Sequence, residues 1–190
     1  GLIHFTDPAG ERHDAIWYRM GDKTYPLSHN RIRHIYEDKE QQLWIATDGS
    51  INRYDYATRQ FIHYNIVDNT GTYNTNWTYY IFEDSAGQLW ISTCLGGIFV
   101  VDKRKLMQST SGQYIAEQNY SVHNGLSGMF INQIIPDNEG NVWVLLYNNK
   151  GIDKINPRTR EVTKLFADEL TGEKSPNYLL CDEDGLLWVG

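Results

Sequence analysis

Four aspartates recur at a fixed distance from a tryptophan, and carboxylates are a residue type that general acid–base catalysis uses. Each aspartate lies six residues before its tryptophan. The four pairs are Asp38 and Trp44, Asp84 and Trp90, Asp137 and Trp143, and Asp182 and Trp188. Catalytic carboxylates must converge on one bond, whereas residues at one phase of a repeat are spread over successive units. The regular spacing therefore indicates a repeated turn whose backbone N–H groups the aspartate caps.

The histidines and cysteines show no pattern that would bind a metal or build a nucleophile. The six histidines lack the His-x-x-x-His and His-Glu-x-x-His spacings. Cys94 and Cys181 lie at different phases of the repeat, so we do not expect them to pair, and no nearby histidine would activate either thiol. We therefore predict no catalytic residue, no metal and no cofactor.

The intervals between the tryptophans indicate which elements carry these residues. Each stretch from one of these aspartates to its tryptophan is here called the phrase. Successive tryptophans of the phrase are 46, 53 and 45 residues apart, which is typical of a four-stranded propeller blade. Residues 30–65 predict four short strands joined by tight turns, because Ile32, His34 and Tyr36 alternate with their neighbours at the strand period. One such meander cannot bury both of its faces, and radial packing of several gives a β-propeller.

The glycines of the phrase predict the geometry of its turn. Gly87, Gly140 and Gly185 lie three residues after the aspartate, where a tight hairpin needs a positive φ angle. The first copy has Gln41 at this position, so its turn must differ from the others or carry strain. The tryptophan begins the second strand, where its ring can fill the space between adjacent sheets.

Composition and charge argue against two classes of partner. The chain has 190 residues, of which 41% are hydrophobic and 22% are charged, as in a globular protein. The net charge is −7 and no block of lysine or arginine is present, so we expect no nucleic-acid partner. The sequence has no run of about 18 apolar residues, so we expect this segment to make no membrane contact.

The phrase resembles the two-component regulator propeller repeat, whose pattern is Asp-x-x-Gly-x-Leu-Trp-Ile-x-Thr followed by a Gly-Ile or Gly-Leu strand that ends in Asp. The lead-in to the innermost strand also fits that family, as in residues 27–32 and 123–127. Asn30 and Asn76 both lie eight residues before the aspartate. The third and fourth copies depart from this pattern, with Met129 and Lys174.

This resemblance implies a fold and a role. The implied fold is all-β, a β-propeller of four-stranded antiparallel blades, with about four blades' worth of a seven-bladed propeller in this chain. Such propellers form the periplasmic sensor of Bacteroidetes hybrid two-component systems, ahead of a membrane helix and a histidine kinase. The implied ligand is an oligosaccharide, and the implied assembly is a homodimer through the parent ectodomain.

The phase of the repeat divides the chain into blades and half-blades. Residues 1–29 match the outer half of one blade, and residues 176–190 match the inner half of another. Between them we predict whole blades at 30–66, 76–122 and 130–167, the second with a loop inserted at 103–117. The chain is then either a segment of a larger propeller or a four-bladed ring closed by its two halves. The larger propellers of the family favour the segment.

Ligand binding is the function that the loops of such a fold can supply. Loops that lead into the innermost strands share one propeller face with those that join the second and third strands. Sugars need aromatic faces to stack on and amide or cationic groups for their hydroxyl and acidic groups. The candidate ligand-binding residues are Asn30, Arg31, Asp48, Tyr73, Asn76, Trp77, Phe130, Asn148, Lys150 and Tyr178.

We therefore expect a non-enzymatic sensor segment that recognises an oligosaccharide and signals to a histidine kinase and a transcriptional output. Two alternatives belong to other classes. A streptogramin-lyase-like or glycan-cleaving propeller enzyme would need a His–Glu cluster or paired carboxylates on the channel face, which the sequence does not assemble. A protein-interaction scaffold would be favoured by an apolar and dry channel face.

Overall fold

The computed structural model describes residues 1–7, 14–24, 26–110, 112–147, 151–166 and 176–190. These residues are almost entirely β-structure, as predicted, and three of the sheets have four antiparallel strands. The first sheet has three strands, β1 (Leu2–Phe5), β2 (Ala15–Met20) and β3 (Pro26–Leu27). The second sheet, blade A, consists of β4 (Ile32–Glu37), β5 (Leu43–Thr47), β6 (Ser50–Asp55) and β7 (Gln60–Tyr64), paired in chain order.

Two further four-stranded sheets follow a short strand, β8 (Ile66–Val67). Blade B starts with β9 (Thr78–Glu83), β10 (Gln88–Thr93) and β11 (Ile98–Asp102). Helix α1 (Lys103–Gln108) and β12 (Tyr114–Ile115) precede its outermost strand, β13 (Gln118–Tyr120). After a 3₁₀ turn at Val122–Asn124, blade C contains β14 (Ile131–Pro136), β15 (Val142–Leu146), β16 (Ile152–Asn156) and β17 (Glu161–Leu165). The last pair is β18 (Leu179–Cys181) and β19 (Leu187–Val189).

The prediction of a loop at 103–117 is wrong. Asp102 caps α1 by accepting from the backbone N–H of Lys105, and β12 pairs in parallel with β8, the short strand that directly follows blade A. The insert also buries Lys103, whose ammonium lies 3.0 Å from Asp38 and 2.8 Å from Glu83. The insert therefore joins blades A and B by backbone pairing and by a buried ion cluster. A six-residue helix is too short to show helical periodicity in the sequence.

The first two tryptophans of the phrase fill the space between blades, as predicted, whereas Trp188 is 59% exposed. Trp44 of blade A is fully buried and packs in one cluster with Ile81 and Ile91 of blade B. Trp90 of blade B is 1% exposed and packs with Ile134 of blade C. Burying a large aromatic side chain contributes about 2–3 kcal/mol, so each blade's stability depends on its neighbour.

The aspartate of each phrase closes its turn and also holds its tryptophan. The Oδ1 atom of Asp38 accepts from the backbone N–H groups of Glu40 (2.9 Å) and Gln42 (2.8 Å), and Oδ2 accepts from the indole of Trp44 (2.9 Å). The same indole bond recurs from Trp90 to Asp84 (2.9 Å), from Trp143 to Asp137 (3.2 Å) and from Trp188 to Asp182 (2.7 Å). These aspartates are structural, and the turn geometry agrees, with φ angles of +77°, +84° and +82° at the three glycines and +61° at Gln41.

Side chains on the innermost strands link one blade to the next. Ile81 of β9 donates its backbone N–H to Nδ1 of His34 (3.3 Å), whose ring stacks on Tyr80 with centroids 3.8 Å apart. Gln133 occupies the same repeat position in blade C, where Oε1 accepts from the N–H of Leu179 (2.6 Å) and Nε2 donates to its carbonyl (3.1 Å). A polar side chain at this position therefore satisfies backbone groups of the neighbouring innermost strand.

We expect Gln41→Gly to stabilise the protein slightly. A left-handed φ costs a residue with a side chain about 1 kcal/mol, and the greater unfolded-chain entropy of glycine offsets part of that gain, so the net increase in unfolding free energy should be about 0.5 kcal/mol. The matched control is Gly140→Gln, where a Cβ meets nothing within 4 Å and only the φ angle opposes it. Urea unfolding should show a loss of about 0.5 kcal/mol there, because the lower unfolded-chain entropy of glutamine offsets part of the strain. A destabilised Gln41→Gly variant would contradict this account of the turn.

We expect His34 to make the protein sensitive to acid. Burial lowers the pKa of His34 from 6.5 to about 4, so between these pH values the unfolded chain binds more protons than the folded one. The contribution of His34 is fully present above pH 6.5 and is lost as the pH falls towards 4. His34→Gln keeps a side-chain acceptor for the neighbouring strand, as Gln133 does in blade C. Between pH 7.5 and 4.5 the unfolding free energy of this variant should therefore fall by about 2–3 kcal/mol less than that of the unaltered protein. Denaturant titrations at the two pH values measure this difference, and an equal fall in both proteins would contradict the role given to His34.

Candidate functional site

Three repeat positions bring side chains together at the end of the blades where the innermost strands begin. They lie seven and five residues before the aspartate of the phrase and ten residues after it. The position seven residues before the aspartate is occupied in blades A, B and C by Arg31, Trp77 and Phe130. The position five residues before it holds Arg33, Tyr79 and Asn132, and the position ten residues after it holds Asp48, Cys94 and Tyr147. All nine residues line two adjoining cavities of about 390 and 460 Å³, which share Trp77 and are here called the groove.

The backbone explains why these positions meet. In each blade the residue after the second strand donates its N–H to the carbonyl of the residue before the first strand. These bonds run from Asp48 to Arg31 (3.4 Å), from Cys94 to Trp77 (2.9 Å) and from Tyr147 to Phe130 (3.0 Å). The pairing of the two strands also shifts register across Arg33, Tyr79 and Asn132. Such a bulge re-aims a side chain, and it gives all three blades the same opening onto the groove.

Trp77 holds an unusual backbone conformation at the centre of the groove. Its φ angle is +56°, which is strained for a bulky side chain. Its N–H donates to the carbonyl of Asp48 in blade A (3.1 Å), and its carbonyl accepts from Cys94 in its own blade. These bonds hold the strained backbone in place, while the indole remains 46% exposed. An aromatic surface is thus fixed at the junction of two blades.

A single carboxylate organises the cations of the groove. The Nε atom of Arg33 donates to Oδ1 of Asp48 (2.7 Å), and its guanidinium lies 4.5 Å from the centroid of the Tyr79 ring. The hydrogen bond to Asp48 is the main reason that the pKa of Arg33 is raised. The Nη1 atom of Arg31 lies 3.3 Å from Oδ2 of the same carboxylate. Asp48 is therefore paired with two arginines and is poorly placed to act as a general base.

Burial favours the protonated form of two further titratable groups of the groove, Cys94 and Tyr79. Burial raises the pKa of the Cys94 thiol and also that of the Tyr79 phenol. A thiol with a raised pKa carries little thiolate at neutral pH and makes a poor nucleophile. Within the described ranges, no group of three or more His, Cys, Asp or Glu side chains is placed to hold a metal ion. The groove therefore offers ring faces and hydrogen-bond donors rather than acid–base or metal chemistry.

The structure brings together six of the ten residues that the sequence proposed for ligand binding. Arg31, Asp48, Tyr73, Asn76, Trp77 and Phe130 line the groove. Contact with a ligand stays a prediction for each of them.

Of the other four proposed residues, Asn30 and Tyr178 do not line the groove. The carboxamide oxygen of Asn30 accepts from the backbone N–H of Met20 (2.8 Å), which ties β2 to the lead-in of blade A. Tyr178 lies immediately before β18 and is 58% exposed, and it is not among the residues that line the groove. Asn148 and Lys150 lie outside the described residues.

The groove residues that the sequence reasoning missed include Arg33, Tyr79, Cys94 and Asn132. Strict alternation assigned Arg33 to a regular strand, and a bulge is invisible to that pattern. A comparison of the copies column by column would have provided a signal, since these are positions at which the copies disagree.

One further result concerns the whole described chain: it contains no helix that is long and apolar enough to cross a membrane.

The repeated blades define a class and match a family. Four-stranded antiparallel sheets, packed face to face through a repeated tryptophan, define a β-propeller. Residues 26–49, 72–94 and 125–148 match the two component regulator propeller repeat. Three stretches of the chain, in blades A, B and C, therefore match this family of propeller repeats. No curated protein matches the chain.

Solved structures place this similarity in extracellular domains. The chain is 98% identical over its full length to the extracellular domain of BT4673 from B. thetaiotaomicron, with a TM-score of 0.96. BT4673 is described in one structure as a one component system and in another as a hybrid two component system. The chain spans 26% of that domain, about a quarter of its length.

More distant structures share the fold alone. The extracellular domain of the hybrid two component system BT3049 from B. thetaiotaomicron is 21% identical, with a TM-score of 0.68 over 95% of this chain and 23% of that one. Virginiamycin B lyase from Staphylococcus aureus is 14% identical, with a TM-score of 0.58 over 84% of this chain and 48% of the lyase. In sequence, the segment therefore resembles the extracellular domain of BT4673 far more than either of these two proteins.

Proposed function

We propose that this chain is part of the periplasmic sensor of a hybrid two-component system and that its groove binds an oligosaccharide. The observation that carries the proposal is the convergence of the same three repeat positions from blades A, B and C on one groove. The 98% identity to an extracellular domain described as part of a two-component system supports the sensor role. Binding is then relayed through a homodimer of the complete ectodomain to a histidine kinase and a transcriptional output.

The chemistry of the groove suits a sugar. The exposed ring of Trp77 can stack on the C–H face of a pyranose, and Phe130 and Tyr147, with ring centroids 6.0 Å apart, provide a second aromatic wall. Asn76 and Asn132 lie beside these rings, and their amides can donate to and accept from hydroxyl groups. Cavities of several hundred Å³ with few polar groups on an apolar wall are typical of small-ligand sites.

The alternatives fit the groove less well. A lyase or glycosidase needs an acid and a base near one bond, whereas Asp48 is engaged by two arginines and the Cys94 thiol has a raised pKa. A protein-interaction scaffold would present an apolar face, whereas charged and amide side chains line the groove. The described residues thus favour sugar binding over catalysis or protein docking.

We expect Trp77→Ala to weaken glycan binding by the complete ectodomain by at least about tenfold, because it removes the central ring of the groove. Calorimetry against a library of glycan fragments first identifies a ligand, and the affinity of the variant for that ligand is then measured. The matched control is Trp17→Ala, which removes an equally exposed indole from β2 and should leave the affinity unchanged.

Two results would contradict the proposal. The first is an absence of binding across the whole library, particularly if a fragment is hydrolysed instead. The second is an equal loss of affinity in the Trp17 and Trp77 variants. Thermal unfolding of both variants shows whether the fold is retained.

A further inference from the structure

The charge of the groove is opposite to that of the chain. The chain carries a net charge of −7. Among the described residues that line the groove, the charged side chains are Arg31, Arg33 and Asp48, which leaves a net charge of +1. One arginine would suffice to compensate a single carboxylate, so the second guanidinium is a surplus cation. A surplus cation in a concave site concentrates anions there.

Arg33 is the arginine that compensates Asp48. Its guanidinium makes two hydrogen bonds to that carboxylate, at 2.7 Å from Nε and 3.4 Å from Nη2, and it lies over the ring of Tyr79. Its side chain is 25% exposed and that of Asp48 is 5% exposed. This pair is fixed by planar stacking and by two-point contact, which is the arrangement that guanidinium groups favour.

Arg31 is the surplus cation. Its side chain is 64% exposed, and among the described residues its guanidinium makes one ion pair, the 3.3 Å contact of Nη1 with Asp48. A guanidinium carries five N–H donors in a fixed plane, so a face suited to two-point binding of an anion remains open to the groove. Arg31 also occupies the repeat position at which blades B and C place Trp77 and Phe130.

We propose that the groove selects an oligosaccharide carrying an anionic group, a carboxylate or a sulfate, and that Arg31 binds this group while Trp77 stacks on the sugar ring. Both side chains line the same cavity, so one sugar unit and its substituent can reach both. Asp48 orients Arg31 and, being paired also with Arg33, repels an incoming anion weakly. A neutral glycan would leave the surplus charge of Arg31 without a function.

This inference rests on the proposed function, and three probes separate the two. They are a tetrasaccharide of a uronic acid, the same tetrasaccharide with its carboxyl groups reduced to alcohols, and a sulfated neutral disaccharide. The complete ectodomain should bind at least one anionic probe, and carboxyl reduction should weaken uronate binding by about tenfold or more. The affinity for the anionic probe should also fall as the salt concentration rises.

Arg31→Gln should remove the preference for the anionic probe over the reduced one. The matched control is Arg104→Gln, which removes an 82%-exposed arginine from α1, outside the groove, and should leave the preference intact. Arg31→Lys keeps the charge but loses the planar two-point contact, so an intermediate affinity is expected. Thermal unfolding of each variant, with the salt dependence of the unaltered protein, distinguishes a local effect from misfolding.

The outcomes are distinguishable. Preference for an anionic probe that depends on Arg31 supports both the sensor proposal and this inference, and the uronate and sulfate arms identify which anion is bound. Equal binding of the uronate and its reduced form, with no binding of the sulfated probe, overturns the inference and leaves the sensor proposal standing. Unchanged preference in Arg31→Gln also overturns the inference. Failure of every probe and of the wider glycan library overturns both.

Discussion

In each phrase one carboxylate accepts from the backbone of its own turn and from the indole of its own tryptophan. In blade A, Asp38 accepts from two backbone N–H groups and from Trp44. The turn fixes the register of the first two strands, and the indole bond fixes the direction in which the ring enters the space between blades. Because buried polar groups must be satisfied, the tryptophan can pack in this space only while its N–H finds that carboxylate. Blade geometry and blade packing therefore depend on the same atoms.

The bonds from the aspartate to its turn and to its tryptophan, here called the clamp, leave the residues at the opposite end of the same hairpin free to vary. The groove lies where β4, β9 and β14 begin, and the clamped turns lie where these strands end. Register is secured by the turn, so a bulge near the start of each strand can re-aim a side chain without displacing the rest of the ladder. The repeat thus separates stability from the proposed recognition, since the copies agree at the aspartate, turn and tryptophan and differ at the groove.

The same separation explains how much the sequence could predict. The strands, the capped turn and the strained Gln41 follow from local rules that act within a few residues, and the structure shows all of them. The indole bond depends on a side-chain rotamer, and the exposure of Arg33 and Tyr79 to the groove depends on a bulge, so neither appears in an alternating pattern. Helix α1 was missed because tertiary contacts, including the burial of Lys103 between Asp38 and Glu83, stabilise it rather than any period.

The position of Trp77 connects the proposed ligand binding to the packing of the blades. Its N–H is bonded to blade A through the carbonyl of Asp48, and its indole faces the groove beside Arg31 of blade A. A ligand that contacts both Arg31 and Trp77 therefore touches two blades at once. Such a ligand binds only when the two blades are packed as observed, so its binding free energy adds to the stability of that packing by linkage. A sensor needs this property, because a site confined to one rigid blade would give the rest of the protein no free energy with which to respond.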